Sequence, residues 1–199
     1  MQPVITIHDR RIGPQEPAYL IAEMSANHLG DFDRAIAIIR AAKDAGADAI
    51  KLQTYTADTL TLDCAAEPFT IEGTIWHGRT LHGLYHEAHT PWDWHPKLMH
   101  AARDLGLHCF STPFDASAVD FLEDLDMPAH KIASFEIIDH ALIRKAACTG
   151  KPLIMSTGMA ELTEITEAVR VARQAGQGGL ALLKCVSAYP APPQDMHLR

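Results

Sequence analysis

Two lysines, two carboxylates and a set of hydroxyls recur at one place in successive short apolar runs of this chain. In Ala49-Ile50-Lys51-Leu52-Gln53-Thr54 an extended backbone puts Ile50 and Leu52 on one face and Lys51 and Gln53 on the other. Glu23 shares a face with Ile21 and Ser25. In His130-Lys131-Ile132-Ala133-Ser134-Phe135-Glu136 strict alternation sets Lys131 opposite Ser134 and Glu136, so the three converge only if the strand bulges or ends near Ala133. Three more runs finish in hydroxyls: Ser111-Thr112-Pro113-Phe114-Asp115, Met155-Ser156-Thr157-Gly158-Met159 and Cys185-Val186-Ser187-Ala188-Tyr189-Pro190. A lysine inside a buried strand is costly unless an anion or a carboxylate faces it. Two ammonium groups among hydroxyls suit a phosphate and a carboxylate together, as phosphoenolpyruvate carries them.

Each of these residues has a plainer reading. Lys51 fits a structural ion pair with Glu23 or Glu136, while Thr112, Ser156 and Asp115 fit helix caps. Cys109 and Cys185 fit the core, and Trp92, Trp94 and Tyr85 fit packing or an interface. The histidines His77, His82, His86, His89 and His95 lack any metal-ligand spacing and fall in a segment that reads as loop, so no metal is assigned to them. Two other functions also fit: a Schiff-base aldolase acting through Lys131 or Lys184, and a non-enzymatic assembly module.

The elements that must position these groups follow from the patterning. Strand-sized apolar runs at 19–24, 49–54, 107–112, 130–134, 153–156 and 180–186 alternate with amphipathic stretches at 32–45, 94–105, 115–125, 139–148 and 162–174. Asp31 is placed to cap the first of these helices and Gly46 to stop it. This is the α/β pattern of parallel strands joined by crossover helices. No G-x-G-x-x-G follows the first strand, which favours a (β/α)8 TIM barrel over a doubly wound sheet. Six βα units in 199 residues fall short of eight, so a barrel truncated after about six units is expected over 19–199. Residues 1–18, with Val4-Ile5-Thr6-Ile7 and the turn-rich Arg11-Ile12-Gly13-Pro14, predict an N-terminal hairpin. Residues 57–90 are too long for a βα loop and read as an insertion.

Composition excludes several functions. Seventeen Lys+Arg against 25 Asp+Glu give a net charge of −8, which disfavours a nucleic-acid surface. No apolar run is long enough for a membrane span, and the N-terminus has no signal-peptide pattern, so a cytoplasmic protein is expected. Cys64, Cys109, Cys148 and Cys185 are scattered and are read as reduced thiols.

In sequence order, the segments Ile21 to His28, Ala49 to Tyr55, Ser111 to Asp115, Lys131 to Ser134, Met155 to Met159 and Ser187 to Pro190 resemble the sialic acid synthase family over essentially the whole chain. Within it, Gly73-Thr74-Ile75-Trp76 and the stretch Leu84 to Trp92 resemble the pseudaminic acid branch more than the N-acetylneuraminate branch. The resemblance implies condensation of phosphoenolpyruvate with an open-chain 2-acetamido sugar, releasing phosphate and giving a nonulosonic acid. In the pseudaminic branch the acceptor would be a 2,4-diacetamido-2,4,6-trideoxy hexose. By position it assigns Lys51, Thr112, Lys131, Ser134 and Ser156 to phosphoenolpyruvate, with Ser187 where the neuraminate branch has Asn. Gln53 and Tyr189 face the sugar, and Glu23 and Glu136 are the acid/base candidates. It also implies a divalent metal (Mn2+ or Mg2+), whose two histidine ligands belong to barrel strands beyond this chain. Beyond it too would lie an antifreeze-like domain that completes a domain-swapped homodimer. The polypeptide as it stands is therefore expected to be inactive or poorly active.

Overall fold

The computed structural model describes residues 4–73, 76–188 and 191–196. The chain divides into two compact units, Tyr19–Leu125 and Met1–Ala18 with Asp126–Arg199. In Tyr19–Leu125 the elements run β3 (Ile21–Glu23), α1 (Phe32–Asp44), β4 (Ala49–Thr54), α2 (Ala57–Leu60), α3 (Leu81–Ala88), α4 (His95–Asp104), β5 (His108–Pro113) and α5 (Ala116–Asp124). β3 pairs parallel with β4, and β4 parallel with β5, setting Glu23 beside Lys51 and Gln53 beside Thr112. The helices form where the caps allow. The Asp31 side chain accepts from the Arg34 amide, and Asp115 accepts from the amides of Ser117 and Ala118. Ala35 and Ile39 of α1, Leu98 and Ala102 of α4 and Leu122 of α5 are buried with Ile50, Leu52 and Phe110 of the strands. The segment 57–90, read as loop, instead contains α2 and α3, each begun by a threonine cap, Thr56 and Thr80. Of the branch-specific insertion motif, Thr74 and Ile75 lie outside the described residues.

In the other unit, β1 (Ile5–Ile7) and β2 (Arg10–Ile12) form the expected antiparallel hairpin, with Ile5 opposite Ile12. Its turn is at His8 and Asp9, not in Arg11 to Pro14. His8 takes the left-handed conformation (φ 53°), which histidine tolerates better than a β-branched residue does, and this frees Arg11 and Ile12 to pair. Then follow β6 (His130–Ile132), α6 (His140–Cys148), β7 (Leu153–Ser156), α7 (Leu162–Ala175) and β8 (Leu180–Leu183), the three strands parallel in chain order. β6 is shorter than the expected 130–134, because Ser134 turns into the helical region (φ −64°, ψ −36°) and starts a 3-10 turn at Phe135–Ile138. β8 stops at Leu183, not at residue 186. Its register pairs Leu183 with Ser156, the last residue of β7, so no partner strand continues beyond it.

Apart from the β1–β2 hairpin, the strands within each unit pair parallel in chain order, with a helical segment between one strand and the next, which is the winding of a (β/α)8 barrel. Among the described residues the chain carries six strands of that winding, the first five of them each followed by at least one α-helix. Among the described residues no helix is long and apolar enough to cross a membrane.

Candidate active site

In the first unit the parallel register does most of the positioning. Lys51 is 9% exposed; its Nζ donates to Thr112 Oγ1 at 3.0 Å and is ion-paired with Glu23 Oε2. The other oxygen, Glu23 Oε1, accepts the Ser25 amide at 3.0 Å. Ser25 holds that amide in place from a left-handed backbone (φ 49°). Thr112 is thus a lysine partner and caps no helix. Asp115 is the cap. The cost of burying the Lys51 ammonium is offset by the Glu23 carboxylate, which is itself exposed. Gln53 is half-buried in register with Thr112.

The opposite face of β4 and β5 carries a second polar cluster. Thr54 Oγ1 lies 2.6 Å from Ser111 Oγ and 2.9 Å from His95 Nε2, and all three residues are fully buried. His95 Nδ1–H donates to the Pro91 carbonyl at 3.3 Å. Nε2 is then the acceptor for the Thr54 hydroxyl, which leaves Ser111 to donate to Thr54. Burial pushes the His95 pKa down to about 4, against the backbone carbonyls that raise it, so the ring is neutral. The sequence reading grouped Ser111 with the site hydroxyls and His95 with the histidine cluster. The structure puts both on the helix-facing side, where they seat the start of α4 against the strand ends. Alternation from Lys51 already sets Thr54 on that face, but nothing in the sequence names its partners. Trp92 packs as expected, stacked on Phe121 with ring centroids 4.6 Å apart.

In the second unit Lys131 is 7% exposed, and its Nζ donates to the Ile132 carbonyl at 2.8 Å and to Ser156 Oγ at 2.6 Å. The Cys185 thiol also donates to Ser156 Oγ, at 3.2 Å, so Cys185 is half-buried at the strand ends and not a core residue. The early end of β6 removes the conflict that strict alternation raised. Ser134 leaves the strand, and its hydroxyl and that of Ser187 both approach Gly158. Glu136 sits on the 3-10 turn, half-buried, with Oε2 inaccessible and without a hydrogen-bond partner. Burial raises its pKa above the usual carboxyl value, opposed by its own amide and by the Lys131 charge. A carboxyl so placed can hold a proton for transfer. The Glu136→Gln variant is expected to unfold a few degrees higher at pH 8, because the buried charge is lost. The gain should shrink as pH falls toward the ordinary carboxyl pKa, where the wild-type group is neutral as well; thermal unfolding across that range checks this. Tyr189 lies outside the described residues.

Among the described residues no three His, Cys, Asp or Glu side chains are grouped to hold a metal ion. His82 is occupied with Asp58 at 2.9 Å and Asp63 at 3.7 Å. The described residues therefore do not form the divalent-metal site that the resemblance implies. Lys184 is exposed, without the desolvation that activates an amine nucleophile.

Comparison with known proteins gives three kinds of likeness. The sequence profile described as the NeuB family matches residues 38–199. A pseudaminic acid synthase of Helicobacter pylori is 46% identical over 183 residues, 92% of this chain and 54% of that protein. One of Campylobacter jejuni is 45% identical over 181 residues, 91% of this chain and 53% of its own length. The crystal structure of an N-acetylneuraminic acid (sialic acid) synthetase of Leptospira borgpetersenii superposes with a TM-score of 0.86 at 30% identity, covering 100% of this chain and 64% of that one. The chain spans about half the length of the curated relatives it matches.

Proposed function

This chain belongs to the NeuB family, and we propose on that footing that it supplies the phosphoenolpyruvate-binding part of a nonulosonic acid synthase, of pseudaminic acid type. One repeated observation carries the reading: a buried lysine reaches a hydroxyl near the carboxyl end of another strand of its own unit. Lys51 reaches Thr112 in this way, and Lys131 reaches Ser156. Barrel enzymes place their chemistry at that end.

In the proposed reaction, C3 of phosphoenolpyruvate forms the new carbon–carbon bond with the aldehyde carbon of an open-chain acetamido sugar. Water adds at C2, and phosphate leaves to give the 2-keto acid. The family resemblance assigns Lys51, Thr112, Lys131, Ser134, Ser156 and Ser187 to phosphoenolpyruvate, and Gln53 and Tyr189 to the sugar. Glu136, with its raised pKa and unpartnered oxygen, serves as the proton donor. Glu23, tied to Lys51, is the carboxylate whose release on anion binding makes a proton acceptor. For the acceptor, the likeness to pseudaminic acid synthases favours a 2,4-diacetamido-2,4,6-trideoxy hexose. On this reading the completed enzyme is a cytoplasmic homodimer, and its divalent metal, manganese or magnesium, is held outside the described residues; no step above runs through it.

Calorimetry of this chain with phosphoenolpyruvate is expected to show saturable heat, and borohydride with pyruvate to add no mass. A pyruvate adduct on Lys131 or Lys184 would replace the synthase by the aldolase, and no saturable heat would leave only an assembly module.

A further inference from the structure

Gly158 is buried in the turn that follows β7, yet its backbone avoids the left-handed region that would demand glycine; the neighbouring Met159, at φ 65°, is the residue that takes it. Space explains the glycine better than conformation does. A Cβ at this position would stand 2.4 Å from Ser187 Oγ, 2.9 Å from Ser134 Oγ and 3.2 Å from Cys185 Cβ. Hydroxyls from the segments that follow β6 and β8 therefore close over one hydrogen atom. They do so beside Ser156, which accepts from both Lys131 and Cys185.

We propose that Gly158 is a positioning residue that sets where the Ser134 and Ser187 hydroxyls stand for an anionic ligand beside Lys131. This rests on the phosphoenolpyruvate reading and deepens it. A serine Oγ is one rotation from the backbone, so a methyl at residue 158 can be accommodated by turning both hydroxyls aside, with a few tenths of an ångström given by Cys185. The fold keeps its packing while the ligand loses two donors. Alanine also restricts the unfolded chain more than glycine does, which favours the folded state where the backbone permits. Stability and binding should thus separate, which a merely structural glycine would not cause.

The experiment compares wild type, Gly158→Ala, Ser187→Ala and the double variant by thermal unfolding and by calorimetry with phosphoenolpyruvate. Gly158→Ala is expected to unfold at the wild-type temperature or above and to bind about tenfold or more weakly, as the loss of a hydrogen bond to a charged ligand implies. The double variant should bind less weakly than the two single losses multiplied together, because the methyl acts partly by displacing the Ser187 hydroxyl. A Gly158→Ala protein that binds like wild type overturns the positioning role and leaves the phosphoenolpyruvate reading intact. One that fails to fold also overturns it, since the methyl would then act on more than two rotatable hydroxyls, and so do fully multiplicative losses. A wild type without saturable binding removes the reading and this inference together.

Discussion

Alanine at Lys131 is expected to weaken phosphoenolpyruvate binding by about two orders of magnitude, the effect of removing about 3 kcal/mol when one member of a buried charge pair is truncated. The ammonium is 7% exposed, so water screens it little, and neither the Ile132 carbonyl nor Ser156 Oγ, both neutral, can replace its charge. Lys131→Met separates charge from packing. It keeps most of the side-chain volume and removes the cost of burying an ion, so its unfolding temperature should match or exceed wild type while binding is lost. In an enzyme completed to the length of its relatives, phosphate release from phosphoenolpyruvate should fall in parallel. Wild-type affinity in either variant would remove Lys131 from the anion site. Lys51→Ala should also weaken binding, and it leaves the exposed Glu23 carboxylate without its cation.

The second large effect is on stability. His95 must stay neutral to accept from Thr54, and its pKa of about 4 lies below the 6.5 of an unfolded histidine. The unfolded chain therefore binds the proton first. The stabilisation is fully present above pH 6.5 and is lost as pH falls toward 4, by about 3 kcal/mol over that range. His28, also lowered by burial and tied to Thr90 at 3.1 Å, adds to the same slope. Glu136 acts with the opposite sign, since its raised pKa favours the folded state at low pH. Denaturant unfolding between pH 7 and 4 should show a steep loss in wild type and a clearly shallower one in His95→Gln, which starts less stable but cannot titrate. Equal slopes would show that burial does not hold the His95 ring neutral.

Much of the candidate site was legible from local rules. The pleat alone puts Lys51 and Gln53 on one face of a strand, and parallel pairing in chain order then brings Glu23 and Thr112 to them. Asp31 and Asp115 cap because the helix start offers unpaired amides, a short-range effect. The second unit was harder to read. Whether Lys131, Ser134 and Glu136 converge depends on where β6 ends, and Ile132 is its last residue because Ser134 turns helical. Alternation cannot anticipate that change of direction.

Residue types and spacing thus determined the βα order, the strand faces, the caps and the lysine, carboxylate and hydroxyl set, because each of these follows from interactions within a few residues or between neighbouring strands. Tertiary structure alone decided that Glu136 keeps a buried oxygen without a donor, and that Thr54, Ser111 and His95 meet behind the sheet. It also decided that Gly158 stands under two hydroxyls. These are contacts or burials produced by packing distant segments together, and no local pattern encodes the distance at which two such side chains come to rest.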